Sequence, residues 1–280
     1  MPIDLKRLRF QYATKLARSS NIKSRHLISA FAKIPREQFL GPSPWKIRPD
    51  KRGSRSAFTD DIADLYQDAT VAINVKKGIN NGAPGVISRW MDELQIKRGN
   101  TVYQVGVGTG YYTAILAETV GPQGRVIAIE REKNLYLAAK SNLSEINNIK
   151  LLHGDGTKFN PGKVDRIFLH AGVTGPKPIW LKSLNAGGIL VFPLTHSKVI
   201  NSGGFGRMIK VVRKDDSYFA EVISPAGFYP CIGARKASEN KALGKALKKS
   251  RLERIHTLNI GKHVQTVNCW FHTEDFCFST

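Results

Sequence analysis

The run Val102–Ala114, Val-Tyr-Gln-Val-Gly-Val-Gly-Thr-Gly-Tyr-Tyr-Thr-Ala, constrains this chain more than any other stretch. Its first half is apolar and β-branched, the pattern of a buried strand. Gly106, Gly108 and Gly110 follow at alternate positions, and the apolar run Ala114–Val120 then has helical character. Glycine admits positive φ and lets a backbone approach a ligand closely. The start of the next helix offers backbone N–H groups to negative charge. Strand, glycine turn and helix together open a nucleotide-type site in an α/β sheet. A tight turn that binds nothing has the same spacing, G-x-G-x-G rather than G-x-G-x-x-G, so the turn needs company. It has it. A second strand, Arg125–Glu130, ends in an acid placed to accept from two ribose hydroxyls. A third, Ile149–His153, runs into Gly154-Asp155-Gly156, where an acid between glycines can reach an adenine edge.

The alternation continues. Lys133–Leu143 and Pro178–Leu184 read as helices, and Val164–His170 and Ile189–Leu194 as the fourth and fifth strands. Met208–Arg213 and Tyr218–Ile223 flank Lys214-Asp215-Asp216-Ser217 and predict an antiparallel hairpin at the sheet edge. Ahead of the glycine turn, residues 5–19 and 25–33 read as helices, the second stopped at Ile34-Pro35. Gly41–Arg55 reads as a loop, the second half of Asp64–Val75 as a strand, Lys76–Gly85 as an irregular turn and Val86–Leu94 as a helix. In the tail, Ser238–Lys249 reads as a basic helix and Arg251–Leu258 as a strand. Trp270, Phe271, Phe276 and Phe278 read as rings buried against the core. The expected fold is α/β, with a mostly parallel seven-stranded sheet and an antiparallel edge hairpin. The expected organisation is a basic helical N-terminal extension (1–60), a nucleotide-site domain (61–225) and a C-terminal extension docked on it (226–280).

The formal net charge is +21, and +10 of it lies in residues 1–60. Two readings of this charge stand: a solvated, solubilising surface, and a surface for nucleic acid, acidic protein or anionic membrane. The basic residues are scattered singly rather than in runs, which favours the first. No apolar run reaches the roughly 20 residues of a membrane span, and no apolar h-region follows the N-terminal basic residues. Cys231, Cys269 and Cys277 form no C-x-x-C pair, and the seven histidines look dispersed, so no metal is expected. A cytoplasmic protein with reduced thiols is the expectation.

The glycine turn, the acid closing the second strand and the Gly-Asp-Gly turn together resemble the class I, Rossmann-like methyltransferases that use S-adenosyl-L-methionine. Their acceptor classes differ in the residues after the fourth strand. An Asn/Asp-Pro-Pro-aromatic run marks amino-methylating DNA enzymes and a Pro-Cys marks cytosine-carbon enzymes. Here His170-Ala171-Gly172-Val173 stands there, and Pro230-Cys231 lies beyond the hairpin. From about Leu27 to Arg235 the chain resembles the protein-L-isoaspartate O-methyltransferase family. Ala30-Phe31-Ala32-Lys33-Ile34-Pro35-Arg36-Glu37-Gln38-Phe39 is similar to its "AF…VPRE.F" segment. Val105–Ala114 is similar to its "IGSGSGYQTA" element, and Gly154-Asp155-Gly156 and Gly187–Pro193 match its later blocks.

The resemblance implies an enzyme that methylates a carboxylate of isoaspartyl or related peptide and protein substrates, with S-adenosyl-L-methionine and no metal. It implies Gly106, Gly108, Gly110, Tyr111, Glu130, Asp155 and Gly156 as cofactor-binding residues. One block departs from the family. Where the family has Gly-Gln-Thr-Ile-Ser-Gln-Pro, this chain has Gly78-Ile79-Asn80-Asn81-Gly82-Ala83-Pro84. Asn80, Asn81 and Gly82 are therefore candidate substrate-positioning residues. Amide donors can orient a carboxylate as hydroxyls do, and Asn and Gly equally suit a turn. His170 is either a substrate-orienting residue or a structural one. Two further functions stay open: an RNA methyltransferase, from the basic charge, and a non-catalytic cofactor-binding protein of the same fold.

Overall fold

The computed structural model describes residues 3–50, 53–248 and 254–280. Lys51 and Arg52 of the expected loop, Lys249 of the expected tail helix and residues 251–253 of the expected tail strand lie outside the described residues. The chain divides into two compact units, Met1–Asn100 with Val107–His153, and Thr101–Gly106 with Gly154–Thr280.

In the first unit, α1 (Leu5–Ser19) is capped by Asp4, whose side chain accepts from the Arg7 N–H, and it buries Tyr12, Ala13 and Leu16. α2 (Arg25–Lys33) is capped by Ser24 and ends at Ile34, in the extended conformation that Pro35 imposes. The two helices meet through Tyr12 and Phe31, edge to face at 6.3 Å. A four-stranded antiparallel sheet follows, in the order β2-β1-β3-β4: β1 (Trp45–Pro49), β2 (Ala57–Thr59), β3 (Ala69–Asn74) and β4 (Ile79–Asn80). Strand β1 lies inside the expected Gly41–Arg55 loop. It is held by pairing with a distant strand, Ile47 opposite Val71, which local composition does not reveal. Then come α3 (Pro84–Asp92), with proline in its first turn, and α4 (Tyr111–Val120), buried on nearly every face. β6 (Arg125–Glu130) and β7 (Ile149–His153) pair in parallel and flank α5 (Lys133–Asn142).

Arg36 organises this unit from inside. It is fully buried. One guanidinium nitrogen donates to the carbonyls of Leu65, at 2.5 Å, and Gln67, at 3.2 Å. The other donates to the Ala69 carbonyl at 2.6 Å and to Asn81 Oδ1 at 3.3 Å. A planar fork with five donors suits this clustered set of oxygens as a lysine would not. Its face lies 6.0 Å from the centre of the Tyr111 ring.

The second unit contains β5 (Thr101–Val105), β8 (Val164–Leu169) and β9 (Leu184–His196), which run parallel in that order. β10 (Gly204–Lys214) and β11 (Ser217–Phe228) continue from β9 as an antiparallel hairpin. The seven expected strands, β5 to β11, are all present across the two units. The hairpin is not the edge, because three short tail strands extend this sheet beyond it: β12 (Thr257–Ile260), β14 (Phe276–Ser279) and β13 (Cys269–His272). Their inward rings, Phe271, Phe276 and Phe278, pack together with centroids 5.3–6.4 Å apart. α6 (Pro178–Ser183) and α7 (Ala237–Ala246) complete the unit. No helix among the described residues is long and apolar enough to cross a membrane.

Replacing Arg36 with Met strands four oxygens of the first unit in the interior. We expect Arg36→Met to lower the urea-unfolding free energy by about 3 kcal/mol or more, and Arg36→Lys to recover only part of it. Unchanged unfolding of Arg36→Met would contradict this role.

Candidate active site

In the first unit, the glycine turn is held by an acid. Glu130 is buried at the C-terminal end of β6. Its Oε2 accepts from the Val107 and Gly108 N–H groups, each at 2.9 Å. Its Oε1 accepts from the Arg131 and Glu132 N–H groups, again each at 2.9 Å. One carboxylate thus ties the turn to the start of α5 through four charge-assisted hydrogen bonds. The turn needs glycine for two reasons. At Gly110, with φ +101°, a Cβ would stand 3.0 Å from the Leu143 side chain. At Gly108, with φ +61°, a Cβ would meet nothing within 4 Å, so one backbone face of the turn is open. Gly110 caps α4 and offers no side chain to its first-turn N–H groups. Tyr111, expected among the cofactor-binding residues, turns its side chain into the core, against Phe31 at 6.2 Å and Phe39 at 5.6 Å. The side chain is buried and so is closed to a ligand.

The Gly78–Pro84 loop also lies in the first unit, and its two asparagines divide their work. Asn80 Oδ1 accepts from the Gly82 N–H at 2.8 Å, closing a turn in which Gly82 has φ +79°. Asn81 is buried and bonds β3 twice: its N–H donates to the Val71 carbonyl at 3.0 Å, and its Oδ1 accepts from the Val71 N–H at 2.9 Å. Arg36 is a second donor to the same Oδ1. These donors fix the orientation of the amide, and Asn81 Nδ2 is left buried without a hydrogen-bond partner. Buried amide nitrogens nearly always have one. Tyr112 donates its hydroxyl to the Gly82 carbonyl at 3.4 Å.

In the second unit, Asp155 Oδ1 accepts from the N–H and hydroxyl of Thr157, at 2.9 and 2.7 Å. The Gly156 carbonyl accepts from Tyr103 at 3.1 Å and from the Trp180 indole at 2.9 Å, which fixes this turn rigidly. At Gly233, a Cβ would stand 3.1 Å from Asp155 Oδ2. Gly106 belongs to this unit, where a Cβ would be 3.1 Å from the His170 carbonyl. The His170 N–H donates to the Val105 carbonyl at 2.8 Å. Its ring lies between Phe168, at 5.7 Å, and Phe228, at 5.4 Å. Burial pushes the imidazole down to about 4, so it is neutral at physiological pH.

Sequence reasoning missed three features. Arg36 stands in the quoted N-terminal motif but had no role, since a lone arginine reads as surface. Gly233 had no signal beyond the Pro230–Arg235 turn itself. The expectation of no metal-ligating cluster is corrected: His263, Cys269, His272 and Cys277 converge, because β13–β14 pairing and the β12–β13 connection bring together residues that no C-x-x-C spacing announces.

Comparison with known proteins bears on the fold and the family. The fold matches a protein-L-isoaspartate O-methyltransferase structure over 86% of this chain and 71% of that one, with TM-score 0.67 and 21% identity. It also matches a Plasmodium falciparum structure assigned as such an enzyme, in complex with S-adenosyl-L-homocysteine. That match covers 80% of this chain and 97% of the other, with TM-score 0.61 and 18% identity. The fold is therefore that of a class I methyltransferase. Residues 11–230 match the family described as protein-L-isoaspartate(D-aspartate) O-methyltransferase, and the chain belongs to that family. A relative from Ignicoccus hospitalis, named protein-L-isoaspartate O-methyltransferase, is 30% identical over 75% of this chain and 90% of its own length.

The low value at His170 fixes a pH dependence. Its folded-state value lies below the unfolded 6.5, so its contribution to stability is complete above pH 6.5 and is lost as pH falls toward 4. His170→Gln should flatten the loss of unfolding free energy between pH 7 and 4.5 by about 1–3 kcal/mol, read from urea titrations. An unaltered pH slope would contradict a neutral, buried His170.

Proposed function

We propose that this chain methylates the free carboxylate of isoaspartyl residues in peptides and proteins, with S-adenosyl-L-methionine as donor. The observation that carries the donor half is the buried Glu130 carboxylate bonded to the Val107 and Gly108 N–H groups beside an open glycine face. These residues fit an adenosyl donor: an anionic acceptor for ribose hydroxyls, and a turn whose backbone a ligand can approach. Asp155 and Gly156 are the residues we assign to the adenine, and the Tyr111 backbone joins the donor set through the start of α4. Family membership supports the acceptor half.

When bound, S-adenosyl-L-methionine supplies a methyl group activated by its positive sulfur. A carboxylate with an ordinary value of about 4 is already ionised at neutral pH. No proton has to move, which accords with a neutral His170 packed between rings. What the protein must do is align the carboxylate oxygen with the methyl carbon and exclude water. We assign that alignment to Asn81. Its Oδ1 is held by Val71 and Arg36, and its Nδ2 is a buried donor without a partner. Asn80 and Gly82 shape the turn that presents it. The hydroxyls of the wider family are thus replaced by a single clamped amide.

The reaction is tested by labelled methyl transfer to an isoaspartyl peptide, its aspartyl twin and total RNA. Label should enter the isoaspartyl peptide alone and leave in mild alkali, as a methyl ester does. Alkali-stable label on RNA would contradict the proposal. Asn81→Asp tests the positioning role. It keeps the acceptor for Val71 and Arg36 but turns the donor into a negative oxygen facing the substrate. Turnover should fall by roughly two decades, on the scale of one lost oriented donor, with S-adenosyl-L-homocysteine affinity and melting temperature preserved. Normal turnover in Asn81→Asp would remove Asn81 from the site.

A further inference from the structure

The family match ends at residue 230, and the tail beyond it carries a second constellation. We propose that His263, Cys269, His272 and Cys277 form a structural zinc site. One ligand atom from each of the four lies within 4.8 Å of the other three. The β13–β14 hairpin sets His272 directly opposite Cys277. The connection from β12 to β13 returns His263 to Cys269, with Nε2 3.5 Å from Sγ. Tetrahedral zinc, with Zn–S near 2.3 Å and Zn–N near 2.0–2.1 Å, places a sulfur and a nitrogen ligand about 3.5 Å apart. The His263 and His272 rings meet edge to face at 90°, with centroids 4.7 Å apart, rather than stacking.

Two independent observations point to an ion. His272 Nδ1 is buried without a hydrogen-bond partner, an unmet valence of the kind a metal site resolves. The sulfurs also have polar neighbours beyond the cluster, the Phe278 carbonyl 3.5 Å from Cys277 Sγ among them. Thr266 donates its backbone N–H to Cys269 Sγ at 3.3 Å, its hydroxyl lies 3.5 Å away, and the Ser279 hydroxyl lies 3.4 Å from Cys277 Sγ. Such outer contacts orient metal ligands. The two cysteines are free rather than joined.

The donor set selects the metal. Two thiolates and two imidazoles suit Zn²⁺, and the two negative sulfurs balance its charge next to the aromatic core of Phe271, Phe276 and Phe278. Four protein ligands fill the tetrahedron, so the site holds structure and performs no reaction. Binding converts two thiols to thiolates and releases two protons to solvent. What it secures is the connection around His263, whose neighbours Val264 and Val267 are 85% and 93% exposed and contribute no core. In a tail of four-residue strands, the ion supplies the link that a small core does not.

The test uses the full chain, purified without chelator. Elemental analysis should find about one zinc per chain. Replacement by Co²⁺ should give the thiolate-to-cobalt charge-transfer bands of a tetrahedral S₂N₂ site. Chelation should lower the melting temperature by roughly 5 °C or more. Cys277→Ser should lose the metal but also perturbs a buried position. His263→Ala alters an exposed side chain, should fold, and should bind zinc at least tenfold more weakly. Three results would each overturn the site: no charge-transfer band when Co²⁺ is added to the reduced protein, a Cys269–Cys277 disulfide in the isolated chain, or undiminished zinc affinity in His263→Ala.

Discussion

The first unit depends on one buried carboxylate. Glu130 sits where β6 ends, and its oxygens collect the N–H groups of Val107, Gly108, Arg131 and Glu132. Unpaired backbone donors in such a place would destabilise the fold by about 1–3 kcal/mol each. The acid therefore shapes the glycine turn and the start of α5 before any ligand arrives. In the function proposed above, ribose hydroxyls would meet oxygens already oriented by the backbone. Preorganisation of this kind is how a site with few polar groups keeps its orienting power.

A second buried charge plays the same part for the Gly78–Pro84 segment. Arg36 gathers the carbonyls of Leu65, Gln67 and Ala69 and reaches Asn81. Asn81 is thereby fixed by residues far from it in sequence, and its remaining donors have a defined direction. This accounts for how a chain can lose the hydroxyls usual at this loop and still hold an oriented donor there. Asn80 Oδ1 meanwhile accepts from the Gly82 N–H and closes the neighbouring turn.

Much of this was legible in the sequence. The Val102–Ala114 pattern, the acid closing Arg125–Glu130 and the Ile34-Pro35 helix stop are local signals, and local geometry obeys them. What was not legible depends on long-range contact. β1 is a strand because Ile47 meets Val71 across more than twenty residues. Arg36 is interior because a distant segment folds its carbonyls over it. Tyr111 belongs to the core because α2 and the segment after it bring Phe31 and Phe39 to it. The tail cluster mixes cysteine and histidine, and only the β13–β14 register and the return of the β12–β13 connection bring them together. Asn81 could be read as donor or as turn former from sequence, and its hydrogen bonds separate it from Asn80.

The central claim is that Glu130 both builds the glycine turn and receives the donor. Titration calorimetry of S-adenosyl-L-homocysteine into the parent and Glu130→Gln proteins tests it most directly. Gln keeps one acceptor oxygen but sets an amide against two backbone N–H groups and removes the charge. The account predicts affinity lower by about one to two decades, on the scale of a charged hydrogen bond worth roughly 1.5–3 kcal/mol, together with a lower melting temperature. Full affinity in a Glu130→Gln protein that melts like the parent would contradict it.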